Sequence, residues 1–307
     1  MQSSIWAKFK RLEGAGSTRL GLFENDELSG GGTLFWSEGT QHPGYVLCPE
    51  GPVLPWEDHA KSREGLRSLL SAVEAIEPKS QILGLRIEPH IPPPRPSIIR
   101  NWVRAPVDLT PVDSLFLDLR LTNEELLAGM HPKGRYNLKL AQKHGVQVRV
   151  SNDLADLRTF YELFDTTAQR GEFFAEPYSF FLNLGATHFP ENHASLLIAE
   201  WEGAPLASIL TVAFGRRTTY LYGGSSRTHR EKMPNYLLHW TAIQIARERG
   251  CLEYDLYGYD PFDHPNHPYA GFTRFKTQLG GYRFSSIGAH DHLFYDRLAD
   301  CLAERLK

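Results

Sequence analysis

The chain has 307 residues, of which 41% are hydrophobic and 22% are charged, and its formal net charge is −3. This length predicts one large domain or two of ordinary size, and the composition excludes a disordered chain. The negative balance excludes a globally basic nucleic-acid-binding protein, so any contact with nucleic acid must be local.

Compartment is indicated by the cysteines and by the apolar runs. Three widely spaced cysteines without a C-x-x-C pair are typical of reduced thiols in a cytosolic protein. The N-terminus lacks the basic segment and apolar core of a signal peptide, and no apolar run reaches the roughly 20 residues of a membrane span. These features predict a soluble cytoplasmic protein that can still work at the inner face of the plasma membrane.

The first part of the chain is predicted to form short strands and one helix. Residues 1–50 contain apolar runs broken by glycine-rich turns. Leucines at helical spacing predict a helix over 57–76, and an apolar run predicts a strand over 82–87. Four prolines between Pro92 and Pro96 predict a stiff connector.

Helices and strands mix in the remainder. A strand is predicted at 114–119, and Thr122 begins a capping-box sequence that starts a short helix. Pro132 suits the first turn of another helix, which Gly145 ends. The later predicted elements are helices near Asp153 and over 178–187, 234–248 and 291–306, and strands over 146–150, 195–200, 206–214, 218–222 and 252–257.

This order predicts an α/β (α+β) fold with two related domains. The first domain is expected at 1–132 and the second at 133–289. The last segment, 290–307, is expected to pack back on the first domain. No repeat of short period is present, which excludes a solenoid.

Lys276 is the first candidate for chemistry. It lies between Phe275 and the pair Gly280-Gly281, after the apolar strand at 252–257. A lysine in such apolar surroundings indicates a cation held in a cleft, facing negative charge on a substrate or transition state. Three acids, Asp108, Asp255 and Asp260, are available, but none is an obvious general base. For Asp255 we favour a bond to nearby backbone at the strand end.

Basic residues form two further candidates. The segment 131–150 has five Lys or Arg and no acid, and Arg135, Lys139 and Lys143 share one helix face. This face can contact a polyanion, although charge alone favours an ordinary solvated face. A second cluster, Arg227, Arg230 and Lys232, follows a Gly/Ser turn, which is a weak indication of phosphate binding.

Arg170 ends an amphipathic helix. A guanidinium there can bind a phosphate or carboxylate, or simply complement the helix dipole. The loop 260–268 is rich in Pro and His, but its spacing favours a structural or substrate-gating loop over a metal site. The R-x-x-G-x-G sequence at Arg11 lacks a preceding strand and a following helix, so we interpret it as chance. G-x-S-x-G and P-loop sequences are absent, which argues against a serine hydrolase and a P-loop NTPase.

Seven stretches in order resemble the FemABX family, the aminoacyl-tRNA-dependent transferases that build peptidoglycan cross-bridges. The most specific is Lys133-Gly134-Arg135-Tyr136-Asn137 with Gly145-Val146, similar to K-x-R-Y-N…G-V. The others are Gln2 to Lys10, Gly51-Pro52-Val53 with Leu85 to Pro89, Thr167-Ala168-x-Arg170, Tyr222 to Ser225, Tyr254 to Gly258, and Phe275-Lys276-x-x-Leu279-Gly280.

The resemblance implies two acetyltransferase-like (GNAT) domains in tandem. It also implies transfer of an amino acid from aminoacyl-tRNA to the side-chain amine of a peptidoglycan precursor stem peptide, without a cofactor. Longer members carry a coiled-coil arm, which this chain lacks, so it resembles the short, armless members. The acceptor is then a lipid-linked or UDP-linked muropeptide precursor.

Site roles follow from the same resemblance. Lys276 carries over as the catalytic cation, Lys10 and Arg170 as holders of the precursor phosphates, and Tyr222 and Phe275 as further substrate contacts. The face of Arg135, Lys139 and Lys143 is our own candidate for the tRNA acceptor end. Two alternatives stay open: a GNAT-type acyltransferase with an acyl-thioester donor, and a non-catalytic precursor-binding protein.

Overall fold

The computed structural model describes residues 1–38, 44–79, 82–262, 264 and 269–299. These residues form two compact units. The first contains Met1–Val112 and the returning segment from Ser285, and the second contains Asp113–Phe284. Each unit has its own sheet and its own core.

The first unit has a six-stranded sheet in the order β1-β2-β3-β4-β13-β5. Its helices are α1 (Ser4–Leu12) and α2 (His59–Glu74). Its strands are β1 (Ala15–Glu24), β2 (Glu27–Ser37), β3 (Gly44–Cys48), β4 (Ile82–Ile87), β5 (Val103–Arg104) and β13 (His290–Leu293).

The second unit has a seven-stranded sheet in the order β12-β6-β11-β10-β9-β8-β7. Its helices are α3 (Asn123–Gly129), α4 (Pro132–Lys143), α5 (Leu157–Gly171), α6 (Tyr178–His188), α7 (Pro234–Glu248) and α8 (Ala270–Gln278). Its strands are β6 (Asp113–Asp118), β7 (Gln147–Ser151), β8 (Ala194–Trp201), β9 (Ala204–Phe214), β10 (Arg217–Ser225), β11 (Glu253–Gly258) and β12 (Tyr282–Ser285).

Local signals place several helix ends correctly. Thr122 and Glu125 form the predicted capping box, each side chain bonding to the backbone of the other residue. α7 begins at Pro234 and ends before Gly250, as predicted, because proline lacks only an N–H that the first turn does not use. None of the described helices is long and apolar enough to cross a membrane.

Two predicted elements are wrong, and a third element was missed. α1 is a helix and not a strand, because Ser3 caps the N–H of Trp6 and the apolar residues Ile5 and Phe9 share a buried face. α8 was not predicted at all. The expected helix over 291–306 begins with β13 instead, residues 295–299 are helical, and 300–306 lie outside the described residues.

The division between the units differs from the expected boundary at 132/133. β6 belongs to the second sheet, where it pairs antiparallel with β11 through partners such as Leu117 and Tyr254. The chain therefore passes into the second unit at Asp113. Such long-range pairing has no local sequence signal, because loop length and composition do not specify the partner strand.

β13 is tied into the first unit by a buried ion pair. It pairs antiparallel with β4 and β5, and Arg86 of β4 binds both carboxylate oxygens of Asp291 at 2.8 and 2.9 Å. Both side chains are nearly buried, with 12% and 5% exposure. The ring of Tyr45 lies under the guanidinium at 5.1 Å and completes its surroundings.

Asp291→Asn is expected to lower the free energy of unfolding by about 3 kcal/mol, because it leaves the buried guanidinium of Arg86 without a counter-charge. Urea denaturation followed by tryptophan fluorescence measures the change. Glu24→Gln is the matched control, since it breaks the exposed Lys61–Glu24 pair of the same unit and is expected to have a much smaller effect. Equal losses in the two variants would contradict the assigned role of Asp291.

Candidate active site

A cleft of about 580 Å³ lies in the second unit, at the end of β10. It is lined by the last turn of α5, by β10, by the beginning of α7 and by the beginning of α8. The lining side chains on its walls and floor include Arg170, Tyr220, Arg230, His239 and Phe275. The cleft therefore combines cations with aromatic rings.

A bulge in β10 decides which tyrosine faces this cleft. Tyr220 pairs with Thr211 of β9, and Tyr222 pairs with the adjacent Leu210. Leu221 is therefore an extra residue in β10. Such a bulge redirects the side chains on either side of it. Tyr220 consequently packs against His239 of α7, with ring centroids 4.6 Å apart, and lines the cleft.

Tyr222 lies elsewhere. Its ring packs edge-to-face against Phe164, Phe180 and Phe181, at centroid distances of 5.8, 5.8 and 5.1 Å. It is not among the described residues that line the cleft. Its predicted contact with substrate therefore has no support from its position.

Lys276 lies on α8, in the last turn of a helix and not directly after a strand end as we expected. Its side chain is only 6% exposed. Nζ donates a 2.6 Å hydrogen bond to the carbonyl oxygen of Gly258 at the end of β11. The rings of Tyr220 and Tyr269 flank the ammonium group, at 5.6 and 5.9 Å from their centroids.

Burial lowers the pKa of Lys276 to about 7, and the carboxylate of Asp255 opposes this shift. The lysine therefore changes charge near neutral pH. Asp255 is itself buried, and its Oδ1 accepts the backbone N–H of Tyr257 at 2.7 Å. That bond agrees with the backbone role favoured for Asp255 from the sequence.

Phe275 and His239 form the wall beside this lysine. The Phe275 ring lies 5.1 Å from Tyr236 and 5.3 Å from His239, measured between centroids. Nδ1 of His239 lies 3.0 Å from the hydroxyl of Tyr254. Burial, assisted by the charge of Lys276, lowers the pKa of His239 to about 3, so the imidazole is neutral. The sequence did not point to His239, because one histidine on an apolar helix face carries no signal.

Arg170 reaches the cleft from the last turn of α5. Its guanidinium donates to Oγ of Ser225 at 3.2 Å and to the carbonyl oxygen of the same residue at 3.4 Å. Partial burial lowers its pKa, and the charges of Arg230 and Arg227 lower it further. We call Arg170, Arg227 and Arg230 the arginine cluster. Its members form no ion pair with any carboxylate in the part of the chain that the structure describes.

Lys10 belongs to the first unit. It lies in the last turn of α1 and is half-buried, with Nζ 5.7 Å from the centroid of the Phe9 ring. Asp108 is in the same unit, where it accepts the backbone N–H of Ala289 at 2.7 Å and pairs with Arg104. Asp108 thus has a structural role in these contacts.

The three residues of α4 predicted to contact tRNA, Arg135, Lys139 and Lys143, have different surroundings. Arg135 turns back and donates to the carbonyl oxygens of Leu127, Ala128 and Met130, which end α3. A cation on such carbonyls satisfies groups that the helix leaves unpaired. Lys139 and Lys143 are exposed. The equal spacing of the three residues therefore does not give them equal roles.

In the described part of the Pro/His loop, Asp260 bonds to the residues that follow it. Its carboxylate accepts the backbone N–H groups of Phe262 and His264 and contacts the His264 ring. Burial alone raises the pKa of Asp260, but these hydrogen bonds outweigh it and lower the pKa. No group of three metal-binding side chains occurs among the described residues, and 263 and 265–268 lie outside them.

Comparisons with known proteins agree with this picture. An acetyltransferase (GNAT) domain model matches residues 133–276. The lipid II:glycine glycyltransferase of Staphylococcus saprophyticus is 22% identical over 95% of this chain and 88% of its own length. The crystal structure of FemX superposes with a TM-score of 0.86 at 21% identity, over 97% of this chain and 93% of that one.

The resemblance to the FemABX family is confirmed. A tandem GNAT protein from the clavulanic acid biosynthesis pathway has the same fold at a TM-score of 0.54 and 14% identity, over 91% of this chain and 83% of that one. The fold prediction of two GNAT-like domains in tandem is therefore also confirmed. The alignment with the staphylococcal FemABX-like relative spans 369 positions, so that relative has residues without a counterpart in these 307.

These FemABX-type comparisons support an acyltransferase. The matched domain is an acetyltransferase domain and the curated relatives are named glycyltransferases, so acyl transfer is common to both. The cleft lies within the second unit, where the matched domain lies.

Arg135→Met is expected to destabilise the protein by about 1–2 kcal/mol, because three carbonyl oxygens at the end of α3 lose a charged donor. Thermal unfolding of the purified variant measures this. Lys139→Met on the same helix is the matched control and is expected to melt like wild type. Unchanged stability in Arg135→Met would show that the guanidinium is not needed there.

Proposed function

We propose that this protein transfers an amino acid from aminoacyl-tRNA to the side-chain amine of a peptidoglycan precursor stem peptide. The FemABX resemblance and the glycyltransferase names of the relatives support this reaction. The observation that carries the proposal is the buried amine of Lys276, which lies over the Tyr220 ring of an aromatic cleft. Arg170 and Arg230 line the same cleft, and neither forms an ion pair with a carboxylate among the described residues. We further propose that the protein works in the cytoplasm, and at the inner face of the plasma membrane if its acceptor is the lipid-linked precursor.

The transfer reaction needs a cation beside the ester group that is attacked. The acceptor amine attacks the ester carbonyl carbon, a C–N bond forms, and the C–O bond to the ribose breaks. Negative charge develops on the carbonyl oxygen and then on the departing ribose oxygen, which takes the proton that the amine loses. A fixed cation out of water stabilises this charge better than solvent does.

Lys276 suits this role by its geometry. One of its three N–H donors bonds to Gly258, which fixes the direction of the side chain. Lys276 is not among the described residues that line the cleft, but the Tyr220 ring, 5.6 Å from Nζ, and the neighbouring Phe275 both line it. We assign to Lys276 the stabilisation of the oxyanion, and to Phe275 a wall against the substrate.

The acceptor precursor supplies phosphates, whether it is lipid-linked or UDP-linked. We assign Arg170 and Lys10 to these phosphates, since both side chains are cations without a carboxylate partner among the described residues. Tyr222 stays a weaker proposal, because its ring packs in the aromatic core. For the tRNA acceptor end, the exposed Lys139 and Lys143 are proposed contacts, and Arg135 contributes less because its donors bind α3.

An acyl-thioester donor is the alternative that the matched GNAT domain favours. The R-x-x-G-x-G sequence does not support it, because Arg11 lies in the last turn of α1 and Gly16 already belongs to β1 in the first unit. A non-catalytic precursor-binding protein is the other alternative. Transfer of radiolabelled amino acid from charged tRNA pools to precursors with lysine, ornithine or diaminopimelate separates all three. Absence of transfer from every charged tRNA would reject the proposal.

Lys276→Met is expected to lower turnover about 10²- to 10³-fold while changing precursor affinity far less, because the lost charge acts mainly in the transition state. Arg170→Met and Lys10→Met are expected to weaken precursor binding about tenfold with a smaller effect on turnover. Steady-state kinetics and calorimetric titration of the precursor measure the two quantities.

Arg274→Met is the matched control for Lys276, since Arg274 lies on the same helix but is exposed. It is expected to keep wild-type turnover. A loss of precursor affinity in Lys276→Met as large as that in Arg170→Met would remove Lys276 from the chemistry.

The pH dependence tests which form of Lys276 works. The ammonium form is present below a pKa of about 7 and is lost as pH rises through that value. The ratio of wild-type to Lys276→Met rate is therefore expected to fall as pH rises through about 7. Taking the ratio cancels the titration of the acceptor amine, which both proteins share. A ratio that rises instead would assign Lys276 as a base.

A further inference from the structure

The segment between β10 and α7 carries cations that the proposed reaction has not used. Ser226–Met233 contains Arg227, Arg230 and Lys232. Its one acid, Glu231, has Oε1 3.5 Å from Nδ1 of His229. Lys232 is held over the ring of Trp201, with Nζ 4.1 Å from the centroid. The segment is therefore positively charged and is anchored on β8.

These cations are distributed along adjoining cavities. Arg230 lines the main cleft and also a second cavity of about 380 Å³, which shares Ser225 and Asn235 with the cleft. Arg227 lines a third cavity of about 490 Å³, which shares Ser226 with the second. Arg230 and Arg227 therefore border a row of three adjoining cavities, which we call the track.

Carboxylates border the track without pairing with its arginines, since Glu231 lines the second cavity and Glu162 lines the third. Neither Arg227 nor Arg230 forms an ion pair with a carboxylate among the residues that the structure describes. The two charges also lower the pKa of Arg170, so the three cations repel one another. An anion with several negative groups in a row relieves that repulsion, and guanidinium groups bind phosphate oxygens through paired donors.

Hydroxyl groups complete the lining. Oγ of Ser226 and Oγ1 of Thr228 lie 2.8 Å apart, and both residues line the second cavity with Arg230. Hydroxyls beside guanidinium groups are common partners of phosphate oxygens in nucleic-acid complexes. The arginines and hydroxyls of the track are thus groups that bind phosphate esters.

We propose that Arg227 and Arg230 bind successive phosphates of the single-stranded 3′ end of the donor RNA, and so direct its terminal ester towards Lys276. This inference rests on the proposed function. The distribution of the charges over three cavities favours a chain of phosphates over one diphosphate, which needs only a single convergent site. Phosphate contacts position the strand without reading its sequence.

The test uses the full chain and a short fluorescent single-stranded RNA ending in CCA, without any amino acid. Fluorescence anisotropy measures its affinity at several salt concentrations. The double variant Arg227→Gln with Arg230→Gln is expected to bind about tenfold or more weakly than wild type. The slope of log affinity against log salt is expected to fall by about 1.4, since each single-strand phosphate contact contributes about 0.7.

Arg249→Gln is the matched control. Arg249 is exposed at the opposite end of α7 and is expected to leave RNA affinity and salt slope unchanged. Circular dichroism and thermal unfolding of each variant separate lost binding from lost folding. Equal RNA affinity in the double variant and the control would overturn the proposal.

A competition arm distinguishes the two sources of phosphate. UDP added to the wild-type complex is expected to displace the RNA poorly. Displacement of RNA by UDP at the concentration where UDP itself binds, with UDP affinity lost in the double variant, would assign the track to the nucleotide of the acceptor and overturn the RNA proposal. Because the probe carries no ester, failure here leaves amino-acid transfer to be judged by its own assay.

Discussion

The burial of one ammonium group sets the requirements of the candidate site. Removing a charge from water is costly, and the protein offsets this cost around Lys276 with a carbonyl oxygen, two aromatic rings and the nearby carboxylate of Asp255. None of these partners is a directly bonded carboxylate in the described contacts. The charge is therefore held in place without being neutralised, and this leaves it able to respond to a new negative charge in the cleft.

The strand β10 connects this group with the arginine cluster. Its bulge at Leu221 places Tyr220 against Lys276 and His239, and its last residue, Ser225, contacts Arg170. Close packing of α5 on β10 allows that second contact. A Cβ on Gly224 would lie 2.3 Å from backbone atoms of α5, so glycine allows α5 to approach the strand and bring Arg170 to its end.

Prediction from sequence worked where the signal is local. The limits of α7, the capping box at Thr122 and the strand β4 follow from proline, capping residues and apolar periodicity. It failed where partners are distant in sequence. β13 is a strand because Asp291 meets Arg86 across 205 positions, and β6 joins the second sheet through β11. In α8, the apolar spacing is masked by glycine, threonine and charged residues, so the helix that carries Lys276 was missed.

The charged residues show the same limit within the site. Arg135, Lys139 and Lys143 share spacing and sign, yet only the position of the α3 carbonyls decides that Arg135 acts within the fold. Conversely, the Gly/Ser turn before Arg227 and Arg230 is only a weak indication of phosphate binding, and it is the adjoining cavities that show open space beside these two residues. The chain as a whole is negative, at −3, so binding of a polyanion must depend on such local separation of charge. Cations that line a cleft without an acidic partner indicate a site for an anion, because pairing with acids would stabilise the same cations on an ordinary surface.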